Sequence, residues 1–168
     1  TQLICMYILS MYAAQVRGEI EESTLGNMLK EIVLLPEKVA SILADKERIQ
    51  WFANKFASAH DVFFIGRGLD YAISMEGSLK MKEVSYVHSE AYAAGELKHG
   101  TISLIEDGTL VIGVLTQSHL CEKTLSNMQE VKSRGAYLMG VAENGSYYLE
   151  DMVDFVVYVP KTDPHFTT

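Results

Sequence analysis

Positive charge is scarce in this chain, and so are cysteine, proline and long apolar runs. Fourteen lysines and arginines stand against 22 acids in 168 residues, a formal net charge of −8. Nucleic-acid binding needs clustered basic side chains to displace counterions from phosphates, so no nucleic-acid partner is expected. The two cysteines, Cys5 and Cys121, have no metal-ligand spacing. They are expected as buried, unpaired thiols in a reducing compartment. A bilayer span needs roughly 20 apolar residues. The most apolar run, Leu3–Ala14, is shorter, is interrupted by Ser10, and has no basic lead-in of the kind a signal peptide carries. The expectation is a cytoplasmic protein without membrane association.

What is present fits one medium-sized domain with a helical appendage: 48% hydrophobic and 21% charged residues, enough to bury a core unaided. No repeat or low-complexity tract occurs. Residues 1–60 carry only helical patterns. Gln2 to about Gln15 is apolar nearly all round, as for a helix buried between neighbours. Ser23 is placed to cap a helix to about Leu35, Pro36 to open the next one, and Asp45 to cap a third that carries Ile49, Phe52 and Phe56.

At Asp61 the pattern changes. Val62–Ile65 is a continuous apolar run ending in Gly66-Arg67-Gly68, and similar runs recur at Leu110–Leu115, Tyr137–Val141 and Phe155–Val159. Such runs mark strands buried on both faces. Helical stretches at about Tyr71–Val87 and Cys121–Arg134 lie between them, and Val87–Ala93 adds a candidate strand before a short helix over Ala94–His99. Strands alternating with helices predict an α/β fold, a doubly wound parallel sheet with helices on both faces, preceded by the helical segment. The chain opens on Thr1 inside a helical pattern and stops after a strand at Thr168, which reads as a piece of something longer.

Open parallel sheets bind ligands beyond the carboxyl ends of their strands. The first such end here is Gly66-Arg67-Gly68, where glycines permit close backbone approach and Arg67 is a candidate ligand contact. On the helix that follows, Ser74, Ser78, Lys82 and Ser85 share one side, the expected solvent face. Glu76, Lys80 and Glu83 form a narrow stripe nearly opposite, bordered by Ala72, Met75, Leu79 and Tyr86 on one flank and Ile73, Gly77 and Val84 on the other. An exposed ladder of ion pairs is the commonplace reading of such spacing. The apolar borders argue instead for a charged stripe in a partly dry cleft, where a carboxylate beside a lysine suits proton transfer next to a carbonyl. Downstream, Gly95-Glu96-Leu97-Lys98-His99-Gly100 sets Glu96 and a histidine between glycines, and His99 can move a proton near neutral pH.

These residues also carry a resemblance. Phe64-Ile65-Gly66-Arg67-Gly68, followed by the unbroken run Met75-Glu76-Gly77-Ser78-Leu79-Lys80-Met81-Lys82-Glu83-Val84-Ser85-Tyr86-Val87-His88-Ser89-Glu90-Ala91-Tyr92-Ala93-Ala94-Gly95-Glu96-Leu97-Lys98-His99-Gly100, resembles the second sugar-isomerase (SIS) domain of the glucosamine-6-phosphate synthases. These are the glutamine–fructose-6-phosphate aminotransferases. The densest match spans about 40 residues, and the register of the remainder to Val159 is compatible.

The resemblance implies a division into residues 1–60, the end of a first SIS domain and its helical connection, and residues 61–168, a second SIS domain truncated at its C-terminus. It further implies that Glu83 moves a proton between C1 and C2 of fructose 6-phosphate with Lys80 close by. It implies that His99 assists ring opening in the site of a neighbouring subunit, so that the working unit is a homodimer binding fructose 6-phosphate or glucosamine 6-phosphate. Glu76, Arg67 and Glu96 are expected in supporting or substrate-binding roles. No metal or organic cofactor is expected. The family's Ser/Thr-rich phosphate loop and its C-terminal Schiff-base lysine lie outside residues 1–168, so this piece alone is not expected to catalyse. Thr101 stands where many relatives have proline. Two rivals remain: a sugar-phosphate-sensing SIS module without catalysis, which would not need the Glu83/His99 pair, and a stand-alone phosphosugar isomerase or deglycase. The sequence upstream, a glutaminase or a DNA-binding domain, would separate them.

Overall fold

The computed structural model describes residues 2–167. Three helices come first: α1 (Gln2–Val16), α2 (Glu22–Leu43) and α3 (Lys46–Lys55). The chain then alternates through β1 (Asp61–Gly66), α4 (Leu69–Ser85), β2 (His88–Ala93), β3 (Leu110–Leu115), α5 (Ser118–Lys132), β4 (Tyr137–Glu143) and β5 (Phe155–Val159), with short 3-10 turns between. The five strands form one parallel sheet in the order β2-β1-β3-β4-β5. The expected doubly wound α/β architecture is present.

The apolar runs become strands because both faces of the sheet are covered. β3 is buried at every position, and β1 at all but its first. On one face Phe63, Ile65, Val111 and Leu138 pack against Leu125, Met128 and Val131 of α5. On the other, Val62, Phe64, Leu110, Ile112 and Phe155 meet Phe52 of α3 and Met81 of α4. Each large apolar side chain so buried contributes about 1.5–3 kcal/mol. Coverage thins towards β4, whose outward-facing residues Tyr137, Met139, Val141 and Glu143 are only half-buried.

Several expectations about the helical segment are corrected. Glu21 rather than Ser23 stands at the N-cap of α2. Pro36 does not open a helix but lies inside α2, which runs through it for 22 residues. A proline costs one backbone hydrogen bond there, and the long amphipathic helix continues past it. α1 is apolar all round yet mostly exposed, with only Met11 buried. It is held at its start by Tyr7, whose ring meets Phe166 edge-on at 4.9 Å between centroids. Cys121 is buried as expected, whereas Cys5, on α1, is exposed for the same reason. Asp45 does stand at the N-cap position of α3, but its carboxylate pairs with Arg48 rather than with the helix backbone.

Among the described residues no helix is long and apolar enough to cross a membrane.

Candidate functional site

The strand order reverses between β1 and β3, so the crevice beyond the ends of these two strands is the topological switch point. Gly66 ends β1 in close contact with the first turn of α4. A Cβ there would lie 2.5 Å from the carbonyl carbon and oxygen of Asp70. Gly68 then takes φ +58, which favours glycine. The tight turn drops Asp70 into the crevice, where it is 2% exposed. Its carboxylate accepts hydrogen bonds from the backbone N–H of Thr116 (3.1 Å) and of Gln117 (3.2 Å) and from the Thr116 hydroxyl (2.5 Å). Burial pushes the Asp70 carboxyl above the ordinary range, while the donors of Thr116 and Gln117 pull it back.

Arg67 is half-buried at the same turn. Its Nη2 donates to Asn127 Oδ1 on α5 at 2.8 Å, and its Nε is buried without a hydrogen-bond partner. The guanidinium lies so close to Gly95 that a Cβ there would sit 2.8 Å from Nη2. Arg67 therefore braces the segment that carries Glu96 and His99 rather than reaching freely outward.

α4 turns a different face to the sheet from the one expected. Ser74 and Ser78 are buried, at 0% and 2% exposure. The Ser74 hydroxyl donates to the Asp70 carbonyl at 2.7 Å, and the Ser89 hydroxyl of β2 donates to Ser78 at 3.0 Å. Small hydroxyl side chains that satisfy one another let the helix approach β1 and β2 closely, with Gly77 against the Phe64 ring. The face read as solvent-facing is thus the packed one at Ser74 and Ser78, while Lys82 and Ser85 are exposed.

The charged stripe faces outward. Lys80 Nζ is 2.8 Å from Glu83 Oε2 and 3.6 Å from Glu76 Oε1, with side-chain exposures of 52–60% for the three residues. The hydrogen bond to Glu83 holds the Lys80 ammonium above its ordinary pKa, with Glu76 adding to the effect. Met75, Leu79, Val84 and Tyr86 border the stripe and are themselves exposed, Tyr86 in a left-handed conformation (φ 61) that ends the helix. In this chain the stripe is an open ion-paired ladder on an apolar field, not a charged seam inside a core.

Glu96 and His99 lie elsewhere, beyond β2 in and before a 3-10 turn (Leu97–His99), and both are exposed. Leu97, between them, is 1% exposed and anchors the turn in the core. Among the described residues no hydrogen bond or ion pair joins Glu96 or His99 to the α4 stripe. The structure thus brings Glu76, Lys80 and Glu83 together and leaves Arg67, Glu96 and His99 as a second group around Gly95. Sequence reasoning missed Asp70, Thr116 and Gln117. An aspartate in the first turn of a helix reads as an ordinary N-terminal acid, and no local signal ties it to a threonine 46 residues on. Among the described residues no group of three or more His, Cys, Asp or Glu side chains is gathered to hold a metal ion. A cavity of about 490 Å³ between α1, α2 and the thinly covered sheet face is lined mainly by apolar residues such as Leu3, Leu35, Ile112 and Val141. It holds none of the six expected site residues.

The SIS domain family matches residues 55–167. Over 162 residues the chain is 51% identical to the glutamine–fructose-6-phosphate aminotransferase [isomerizing] of Caldanaerobacter subterraneus subsp. tengcongensis, covering 96% of this chain and 27% of that protein. The protein of the same name from Clostridium acetobutylicum is 48% identical over 163 residues, 97% of this chain and 27% of the relative. Among solved structures, the C-terminal domain of glucosamine-fructose-6-phosphate aminotransferase from Francisella tularensis superposes with a TM-score of 0.88 at 30% identity. That match covers 98% of this chain and 46% of the other. The chain spans about a quarter of the length of the curated relatives it matches.

Proposed function

This chain belongs to the SIS domain family, and from that membership we propose that it is the second SIS unit of a glutamine–fructose-6-phosphate aminotransferase. The whole enzyme would combine ammonia from glutamine with fructose 6-phosphate to give glucosamine 6-phosphate and water. One observation carries the reading: Glu76, Lys80 and Glu83 meet on an uncovered face of α4 whose borders are apolar. Exposed apolar side chains around a charged cluster fit a surface that another unit covers, where ion pairs weak in water become strong.

In this reading Glu83 takes the proton from one of the carbons C1 and C2 of the open-chain sugar and returns it to the other, which is the ketose–aldose step. Lys80, donating to Glu83 at 2.8 Å, orients its carboxylate, and Glu76 holds Lys80 from the other side. His99, exposed on its turn, assists ring opening in the site of a neighbouring subunit, so the working form is a homodimer. Glu96 and Arg67 support the His99 segment, Arg67 through its contact with Gly95. Residues 1–60 are the end of a first SIS unit and the connection to the second, 61–168. A cytoplasmic location belongs to the same proposal.

The test uses the full-length enzyme that contains this sequence. Glu83→Gln keeps shape and hydrogen bonding but removes the base. Glucosamine 6-phosphate formation is expected to fall on the order of 100- to 10,000-fold, with glutamine hydrolysis largely intact. A Glu83→Gln enzyme that makes product at a near-normal rate would overturn the assignment.

A further inference from the structure

The buried side of α5 is apolar at Cys121, Leu125, Met128 and Val131, yet it also carries Asn127, which is 6% exposed. An amide so placed costs stability unless it is hydrogen-bonded. Its Oδ1 accepts from Arg67 Nη2 at 2.8 Å. Arg67 Nε is buried without a hydrogen-bond partner among the described residues, so the placement of the group depends heavily on Asn127. A guanidinium is planar and rigid, and holding Nη2 helps to fix the whole plane. Gly95 rests against that plane: a Cβ on it would lie 2.8 Å from Nη2 and 3.3 Å from Cζ and Nη1. From Gly95 the chain runs directly into the turn that ends at His99. Ala94, fully buried, donates its N–H to the Gly66 carbonyl at 2.9 Å, and Leu97 is 1% exposed. The His99 N–H donates to the Glu96 carbonyl at 3.0 Å, which ties the histidine backbone to this segment.

We propose that Asn127 is a positioning residue for His99, acting through Arg67 and Gly95. Asn127 holds the guanidinium, the guanidinium sets where Gly95 rests, and Gly95 sets how far the His99 ring reaches outward from the domain. The proposal rests on the ring-opening role given to His99 above and names the buried group on which that role depends. When the furanose ring opens, the bond from C2 to the ring oxygen breaks. The C2 hydroxyl gives up its proton and becomes the carbonyl, and the freed oxygen takes up a proton to become the 5-hydroxyl. A histidine that carries a proton in this step must sit within hydrogen-bonding reach of the sugar, and a displacement of about 1 Å is enough to slow it severely. Proton transfer between C1 and C2, assigned to Glu83 on α4, does not pass through this relay.

The experiment uses the full-length enzyme that contains this sequence and two substrates. One is fructose 6-phosphate; the other is 5-deoxyfructose 6-phosphate, which has no 5-hydroxyl with which to close the ring. Asn127→Leu keeps the size of the side chain and removes the acceptor. Amino-sugar formation from fructose 6-phosphate is expected to fall on the order of 10- to 100-fold relative to wild type, and formation from the deoxy sugar to stay at the wild-type rate. Asn127→Asp returns an acceptor to the same place and is expected to restore most of the lost rate. His99→Ala, measured in parallel, is expected to show the same selective loss, and the Asn127→Leu/His99→Ala double variant to be no slower than His99→Ala alone. Asn127→Ala carries the same comparison if the leucine variant does not fold. With His99→Ala selective, the role of Asn127 is overturned by a leucine variant that slows both substrates equally or neither, or by an aspartate variant as slow as the leucine one. The role of His99 would then stand. A His99→Ala enzyme that slows both substrates alike overturns the ring-opening role itself, and the positioning role of Asn127 with it.

Discussion

The two long faces of α4 carry similar numbers of polar side chains and put them to opposite uses. On the inner face Asp70, Ser74 and Ser78 are buried, and each finds its partners inside the protein: Thr116 and Gln117, the Asp70 carbonyl, and Ser89. On the outer face Glu76, Lys80 and Glu83 pair, among the described residues, with one another and remain more than half exposed. The inner groups are consumed by the fold; the outer groups remain available for chemistry. Exposed ion pairs are worth little to stability because water screens them, so the charge on the outer face adds little to the fold.

The contrast can be broken most forcefully at the floor of the inner face. Gly66→Ala would place a Cβ 2.5 Å from the Asp70 backbone and 2.7 Å from the Tyr71 nitrogen, atoms that cannot step aside without moving α4. A loss of about 3 kcal/mol in folding free energy is expected from urea denaturation. A variant as stable as wild type would mean that α4 is not seated as described. A smaller effect is expected about two turns further along the helix. Ser78→Ala leaves the buried Ser89 hydroxyl without its acceptor, for a loss of about 1 kcal/mol, read from the same transition. Smallest of all is the change on the outer face. Lys80→Met should leave the denaturation midpoint of this protein where it is, because the ammonium is solvent-exposed. If Lys80→Met destabilised the protein as much as Ser78→Ala, the two faces would not differ in the way described.

Much of the fold was legible because β1, β3, β4 and β5 are apolar runs, with β1 and β3 at the centre of the sheet and buried on both faces. β1, β3 and β5 begin and end within a residue of the apolar runs that announced them. β2 was legible only as a candidate, since His88-Ser89-Glu90 lacks apolar continuity. It forms because β1 offers it a full parallel edge from Asp61 to Gly66. The spacing of Glu76, Lys80 and Glu83 was equally plain, and their pairing followed from the i,i+3 and i,i+4 geometry of any helix.

The orientation of α4 was misread for a physical reason. Periodicity sorts side chains into faces but does not say which face meets the sheet, and serines are usually assigned to water. Here Ser74 and Ser78 are internally hydrogen-bonded and small enough to let the helix settle close to Phe64 and β2. The large apolar residues Met75, Leu79, Val84 and Tyr86 remain outside.

The sequence by itself therefore determined the order of helices and strands, the parallel sheet, the α4 ion-pair ladder and the SIS resemblance, because these depend on local periodicity and on runs of residue type. Only the tertiary structure decided that the serine face of α4 is buried, that Arg67 is tied to Asn127 and Gly95, and that Asp70 fills the switch-point crevice. Those outcomes depend on which distant groups the sheet brings within hydrogen-bonding reach, and contacts between residues 46 or 60 positions apart leave no trace in the spacing of either partner.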